Sequence, residues 1–295
     1  MSIAVTAASG NLGPLVVDAL LERGVRPGQI VAVVRDPAKV DHMAAQGVSI
    51  RQGNYDNPPS LAAAFEGVQK VLVISGSEIG RRVQQHANAI HAAAAAGAEL
   101  IAYTSVLRAG DATENPVLPE HVGTERVLEE SGAPFVVLRN GFYTENYVDQ
   151  VRQAMRSGEL LTSAGEGRTA SATRADFAAA AATVLTTPGH AGQRYELAGD
   201  AGWTMRELAE TAGRLGGRQV VLRQLDESAH LEALLGAGTP EPIAEFAVAL
   251  DRAVRDGELD VLGADLAELA GRPTTALEDG LRAALARPSP SRGPD

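Results

Sequence analysis

The feature that most constrains this chain is an alternation in its first 140 residues. Short apolar, β-branched runs recur at Ile3–Thr6, Ile30–Val34, Ser49–Gln52, Lys70–Ile74, Leu100–Thr104 and Phe135–Arg139. Between them lie segments long enough for helices, at Leu12–Arg23, Pro37–Gln46, Ser60–Glu66, Arg81–Ala96 and Glu120–Ser131. The runs lack the period-two pattern of a half-buried strand, so both faces of their sheet should be covered. Strands and helices alternating in this way predict an α/β fold built on a doubly wound parallel sheet.

Beyond about residue 141 the pattern changes, with more helix and fewer strands. Thr204-Met205-Arg206-Glu207 has the spacing of a capping box, and Trp203 and Leu208 stand where a hydrophobic staple would place them. Val220–Leu225 reads as a strand, and 228–286 as mostly helix. Residues 1–150 are therefore expected to form the sheet domain. Residues 151–287 should form a smaller, mostly helical C-terminal lobe, with the chain free to cross between the two. PSPSRGPD at 288–295 is expected to be a disordered tail.

Composition narrows the chemistry. The chain has no cysteine, which excludes disulfides, thiolate nucleophiles and cysteine-ligated metals, and fits a cytoplasmic location. Its six histidines show no metal-ligand spacing, so no metal site is expected. With a formal net charge of −11 it is a poor match for nucleic acid or an anionic membrane. The N-terminal MSIAVTAASG enters a strand at once, without the charged-then-apolar pattern of a signal peptide, and no run is long enough to span a membrane. Self-association is not readable from the sequence.

Directly after the first strand comes TAASGNLG, residues 6–13. Gly10 and Gly13 have the spacing of the second and third glycines of a dinucleotide fingerprint. There, one glycine admits the pyrophosphate and the other allows close helix–strand packing. The helix start behind them suits phosphate. This identifies the sheet as a Rossmann sheet. Ala7 occupies the first glycine position, and it carries a penalty of roughly 1–2 kcal/mol if that position needs positive φ. Arg35 follows the second strand, where an acid would select NAD; arginine suits the 2′-phosphate of NADP, and Lys39 adds charge one turn on. Asp36 pulls the other way, and the trio also reads as a solvated pair with a capping aspartate.

Many reductases of this architecture use Tyr-x-x-x-Lys as proton donor. The residues four places after the five tyrosines are Pro59, Leu107, Tyr147, Val151 and Gly199, and the only lysines are Lys39 and Lys70. A sequence-adjacent dyad is absent. A chain with a nicotinamide and no dedicated acid favours an easy hydride acceptor, because a hydroquinone anion needs no strong acid whereas an alkoxide does. His121 could donate a proton or bind a carbonyl, or could be a polar helix residue beside the cleft. Glu125 shares its helix face.

Seven segments carry a family resemblance: TAASGNLG at 6–13, VAVVRDPAK at 31–39, AAQGVSIRQGNYD at 44–56, IAYTS at 101–105, LRNGFYTENY at 138–147, SATRADFAAAAA at 171–182 and YELAGDAGWT at 195–204. Together they resemble the NmrA-like group of atypical short-chain dehydrogenase/reductases, near the bacterial type-2 NAD(P)H:quinone oxidoreductases and triphenylmethane-dye reductases. The resemblance fades over 226–270. It implies two lobes with the substrate entering between them. It also implies that Thr6, Ala7, Ala8, Ser9, Gly10, Asn11 and Leu12 line the pyrophosphate and Arg35 the 2′-phosphate. Ser75, Gly76 and Ser77 would lie over adenosine and ribose, with Tyr103 and Thr104 near the nicotinamide. Asn140, Gly141, Phe142 and Tyr143 would border nicotinamide and quinone, Phe142 and Tyr143 also reading as plain packing aromatics. Arg174 would support the site from the second lobe, or would fix that lobe together with Asp176.

The expected activity is therefore NADPH-dependent hydride transfer to a small molecule, a quinone, with protons from solvent. Tyr103, Asn140, Phe142, Tyr143 and His121 are the candidate catalytic residues. A dye, an enone or a biosynthetic intermediate is the alternative acceptor, and a non-catalytic NADP(H)-binding redox sensor the alternative class.

Overall fold

The computed structural model describes residues 1–110 and 118–286. In chain order its elements are β1 (Ile3–Val5), α1 (Gly13–Glu22), β2 (Ile30–Val34), α2 (Asp41–Ala45), β3 (Ser49–Gln52), α3 (Pro58–Phe65), β4 (Lys70–Val73), α4 (Arg82–Ala95), β5 (Leu100–Val106), α5 (Leu118–Glu130) and β6 (Phe135–Asn140). There follow α6 (Val148–Ser157), β7 (Glu159–Thr162), β8 (Arg168–Thr169), α7 (Arg174–Thr186), β9 (Arg194–Leu197), β10 (Trp203–Thr204) and α8 (Met205–Gly216). The last are β11 (Val221–Gln224), α9 (Glu227–Gly236), α10 (Glu241–Arg255), α11 (Asp265–Ala270) and α12 (Leu277–Ala286). The residues expected to form a disordered tail, 288–295, lie outside the described residues.

The chain divides into two compact units. The first is Met1–Asn140 with Arg174–Leu197 and Ala264–Pro273; the second is Gly141–Thr173 with Ala198–Gly263 and the chain from Thr274 onward. The first division thus falls at Asn140 rather than at 150, and two later segments rejoin the first unit.

In the first unit the sheet order is β3-β2-β1-β4-β5-β6-β9, every pairing parallel. The doubly wound parallel sheet read from the sequence is present. Both faces are covered, as the missing alternation implied: β1 and β2 are buried at every position. On one face Val31, Val33, Val71, Val73, Ile101, Tyr103 and Val137 pack with Leu61, Phe65, Ile90 and Leu128 from α3, α4 and α5. The intervening residues Ala32, Leu72, Ala102, Val136 and Leu138 are equally buried on the other face. On that side α7 packs against α1 and α11.

β9 is a seventh strand that the sequence reading did not include. Its RYEL run is buried only at Leu197 and pairs with β6 at the sheet edge. Arg174 and Asp176 open α7 and so belong to this unit, not to the second lobe where the sequence reading placed them. Asp176 is fully buried and pairs with Arg272 at 2.7 Å, tying α7 to the segment that follows α11.

The second unit is mostly helical. The capping box forms as predicted, Thr204 accepting from the Glu207 amide and Glu207 from the Thr204 amide. Trp203 and Leu208 are both buried in its core with Tyr147, Val151 and Met205. The Val220–Leu225 run forms β11, parallel to β7. Asp251 on α10 is buried, accepts from the Ser163 amide at 2.6 Å and the Thr162 hydroxyl at 2.7 Å, and lies 3.3 Å from His230 of α9. Those bonds satisfy a buried carboxylate and pin both helices to the end of β7. No helix among the described residues is long and apolar enough to cross a membrane.

Candidate functional site

In a doubly wound sheet the place to look for a site is where strand order reverses, outside the carboxyl ends of the strands. Here the chain runs outward from β1 to β3 and then returns to lay β4 on the other side of β1. The loops after β1 and β4 flank that switch point, and they carry two groups of residues singled out in the sequence, 6–13 and 75–77.

The first loop is a tight turn. The Gly10 amide donates to the Ala7 carbonyl at 2.9 Å, and the Ala8 amide to Val33 at 3.2 Å. A β-carbon on Gly13 would stand 2.6 Å from both Ala7 O and Ala8 Cα, inside backbone, so only glycine lets α1 start this close to β1. Gly10 is less crowded, its nearest atom 3.2 Å away. Pro14 sets the first turn of α1, where no side chain caps the amides and no acidic residue stands. A ten-residue helix thus presents its positive end at the switch point without an internal partner, which suits an anion. Ser9, Gly10 and Asn11 are exposed at the turn; Leu12 is buried behind it.

Ala7 has φ +48°, so the first fingerprint position does require the left-handed region. Alanine there carries roughly 1–2 kcal/mol of strain. Ala7→Gly should relieve it, offset in part by the greater freedom of glycine in the unfolded chain. The variant should be more stable by about 0.5–1 kcal/mol. Urea denaturation of the two proteins checks this, and a lower midpoint for the glycine variant would show that the alanine is unstrained.

Arg35 follows β2 directly. Its carbonyl accepts from Gln52 Nε2 at 3.0 Å, while its side chain is exposed. Asp36 accepts from the Ala38 amide at 3.1 Å and caps the short 3-10 turn Pro37–Val40. Lys39 is exposed on that turn. The other lysine, Lys70, opens β4 at the opposite end of the strands, where its Nζ donates to the Leu185 carbonyl at 2.8 Å.

Beneath the switch point runs a buried polar layer that the sequence reading did not assemble. Thr6 donates to the Leu72 carbonyl at 3.0 Å and accepts from the Ile74 amide at 2.9 Å, with the Tyr55 hydroxyl 2.5 Å away. Thr104 accepts from the Ser75 amide at 2.9 Å. His86 Nε2 accepts from the Gly76 amide at 2.9 Å. Tyr103 is fully buried, its hydroxyl 2.8 Å from His121 Nδ1 and 3.4 Å from His86 Nδ1. Burial pushes the Tyr55 and Tyr103 phenols well above their usual range. It pushes the imidazoles the other way: His86, further lowered by His121 and Arg82, to about 3, and His121, further lowered by Arg82, to about 4. At neutral pH the layer is uncharged. Tyr103 and His121 are thus brought together, and Thr104, Ser75 and Gly76 with them.

Glu125 is also buried, with partners other than His121. It accepts from Ser105 Oγ at 2.6 Å and pairs with Arg139 at 2.7 Å, which in turn reaches Glu196 at 2.7 Å. These pairs, burial opposing them, raise the Arg139 pKa. Asn140 ends β6, and its carbonyl accepts from the Leu107 amide at 3.1 Å. In the second unit Gly141, Phe142 and Tyr143 are half-buried. Tyr143 bridges to Ala172, and Phe142 starts a run of edge-on rings, 5.3 Å to Tyr147 and then 4.7 Å to Trp203. His86, Thr124 and Tyr55 were not singled out from the sequence as site-building residues. His86 shares a buried face of α4 with Ala89, Ile90 and Ala93, and Gln85 beside it is buried as well.

A family model described as NAD(P)H-binding matches residues 7–188. The chain belongs to the NAD(P)H-binding, NmrA-like family. Within this family it is 43% identical to quinone oxidoreductase 2 of Escherichia coli over 95% of this chain and 97% of that protein. Its structure matches the E. coli NADPH-dependent quinone oxidoreductase complexed with NADPH at TM-score 0.89, covering 95% and 99% of the two chains with 43% identity. It matches Citrobacter triphenylmethane reductase complexed with NADP(H) at TM-score 0.90, with 39% identity over 96% and 100%. The geometry fits an NAD(P)H-binding family member: an uncapped helix start, a glycine with no room for a side chain, and a switch point lined by both loops.

Proposed function

We propose that this protein is an NADPH-dependent reductase whose acceptor is a quinone. The observation that carries it is Arg35, an exposed guanidinium directly after β2 beside an uncapped α1, in a chain 43% identical to a quinone oxidoreductase along nearly its whole length. Bound NADPH supplies a hydride, passed directly to the acceptor.

The chain's own residues bind and orient. Thr6 to Leu12 and the start of α1 hold the pyrophosphate, and Arg35 with Lys39 holds the 2′-phosphate. Ser75, Gly76 and Ser77 border adenosine and ribose. Thr104, Asn140 and Gly141 border the nicotinamide, and Arg174 supports the site from α7. Phe142 and Tyr143 offer flat apolar surface to a flat acceptor. Tyr103 and His121 act by positioning rather than as acids. The Tyr103 hydroxyl is occupied by His121, and burial holds its proton tightly. Protons for the reduced acceptor therefore come from solvent.

The test is absorbance at 340 nm with a simple benzoquinone. Loss of NADPH that depends on the quinone, and is faster than with NADH, is the expected result. A triphenylmethane dye belongs in the same assay, because the similarity to a triphenylmethane reductase is nearly as strong. Turnover of the dye with none of the quinone would replace the quinone reading, and no turnover with either would overturn the enzyme reading.

A further inference from the structure

Three successive amides in the loop after β4 are each held by a side chain from a different element. Ile74 donates to Thr6 at the end of β1, Ser75 to Thr104 on β5, and Gly76 to His86 on α4. The two threonines sit on the strands that flank β4. His86 comes from a helix, and no part of it is exposed to solvent.

Hydrogen-bond directions fix its tautomer. Nε2 accepts from Gly76 and so carries no proton. The proton is on Nδ1, which donates to Thr124 Oγ1 at 3.0 Å, and Thr124 passes its own hydroxyl proton to the Glu120 carbonyl at 2.8 Å. With His86 Nδ1 protonated, the only imidazole nitrogen near the Tyr103 hydroxyl that can accept its proton is His121 Nδ1, at 2.8 Å. Every polar end of His86 is matched, and its acceptor end has one target, the loop at the switch point.

We propose that His86 is a positioning residue of the nucleotide site, its neutral Nδ1–H tautomer latching the Gly76 amide so that the loop after β4 is held in its cofactor-binding shape. The inference rests on the reading above that this crevice takes NADPH. A plain core histidine would need only to fill space. This one is fully buried, and that desolvation is offset only while both nitrogens are bonded. Where a binding loop is not fixed in advance, affinity falls by the fraction of time it spends in the competent shape.

The two ends of the ring can be tested separately. The terminal amide of glutamine reaches where Nε2 stands and can accept from Gly76. That of asparagine stops where Nδ1 stands, serving Thr124 but not the loop. NADPH binding is read by fluorescence titration of wild type, His86→Gln and His86→Asn, with the thermal midpoint of each. His86→Asn should weaken NADPH binding about tenfold, the equivalent of one hydrogen bond near the top of its usual range, while His86→Gln stays within about threefold. Both should lower the thermal midpoint. Equal affinities in the two variants, or affinities that simply track their midpoints, would overturn the latch while leaving the nucleotide site intact. Failure of the wild type to bind NADPH would overturn both.

A measurement on the unmodified protein stands beside this. Nitrogen NMR of labelled histidine at pH 7 should show His86 neutral with its proton on Nδ1. A proton on Nε2 would remove the acceptor and with it the proposal.

Discussion

Replacing Arg35 with alanine should weaken NADPH binding by about 30- to 100-fold while leaving NADH within about threefold. The size follows from losing charge-assisted hydrogen bonds to a phosphate, each worth about 1.5–3 kcal/mol. The selectivity follows from geometry. Arg35 stands immediately after β2, next to β1 at the switch point, with its backbone fixed by Gln52 and its side chain exposed. Among the described residues, no carboxylate forms an ion pair with it, so nothing must be broken before it meets an anion. Asp36, the residue that left the sequence reading open, is engaged with the Ala38 amide as the cap of the following turn. Dissociation constants for the two cofactors, measured without any acceptor, decide the matter. An equal loss for both would place Arg35 on a moiety they share, and no loss for either would sink the assignment.

What the sequence revealed and what it hid differ in physical kind. Six strands were legible because a central parallel strand is apolar on both faces, and that pattern is local. β9 was not legible because RYEL at a sheet edge has little to bury and makes its only ladder with β6. The allegiance of α7 was hidden for a related reason. α7 buries eight of its thirteen residues, four of them alanine, in near-consecutive runs, so the sequence shows no distinct polar face to say which neighbour the helix covers. The fingerprint turn was readable down to Gly13, whose missing side chain is a local necessity. Whether Ala7 was strained could not be read, since φ is set by the turn and not by the residue name. The resemblance singled out Tyr103 within IAYTS, but nothing in the sequence showed its phenol bonded to His121. His86 and Thr124 stood further out of reach, because the bond from α4 to the β4 loop joins residues through tertiary packing and leaves no spacing to recognise.

The same buried layer sets how the protein should respond to acid. Between pH 6.5 and 5 the folded state should lose about 3 kcal/mol of stability, a large part of the 5–15 kcal/mol typical of a folded domain. His86 is fully buried and His121 is 6% exposed, and they are lowered to about 3 and about 4. In the unfolded chain both return to the ordinary value near 6.5. Above that pH neither state binds the protons, and the pair contributes nothing to the pH dependence. Below it the unfolded chain takes up two protons that the folded chain refuses, so stability falls by about 1.4 kcal/mol per pH unit for each histidine. The fall continues until the folded-state values are reached. His190, lowered by burial and by Lys70, acts in the same direction. Carboxylates held low in the folded state, such as Glu207, Glu227 and Glu278, add their losses only below their ordinary range, so the window above pH 5 reports the histidines. Urea unfolding at half-unit steps should give a slope that rises from about one proton at pH 6.5 toward two near pH 5. In His121→Asn, whose amide oxygen can still accept from Tyr103, the slope should drop by about one proton, since burial alone continues to hold His86 neutral. A slope unchanged by that substitution, or a flat wild-type profile from pH 6.5 to 5, would mean that the two imidazoles are charged or solvated in the folded protein, and the uncharged floor beneath the switch point would have to be abandoned.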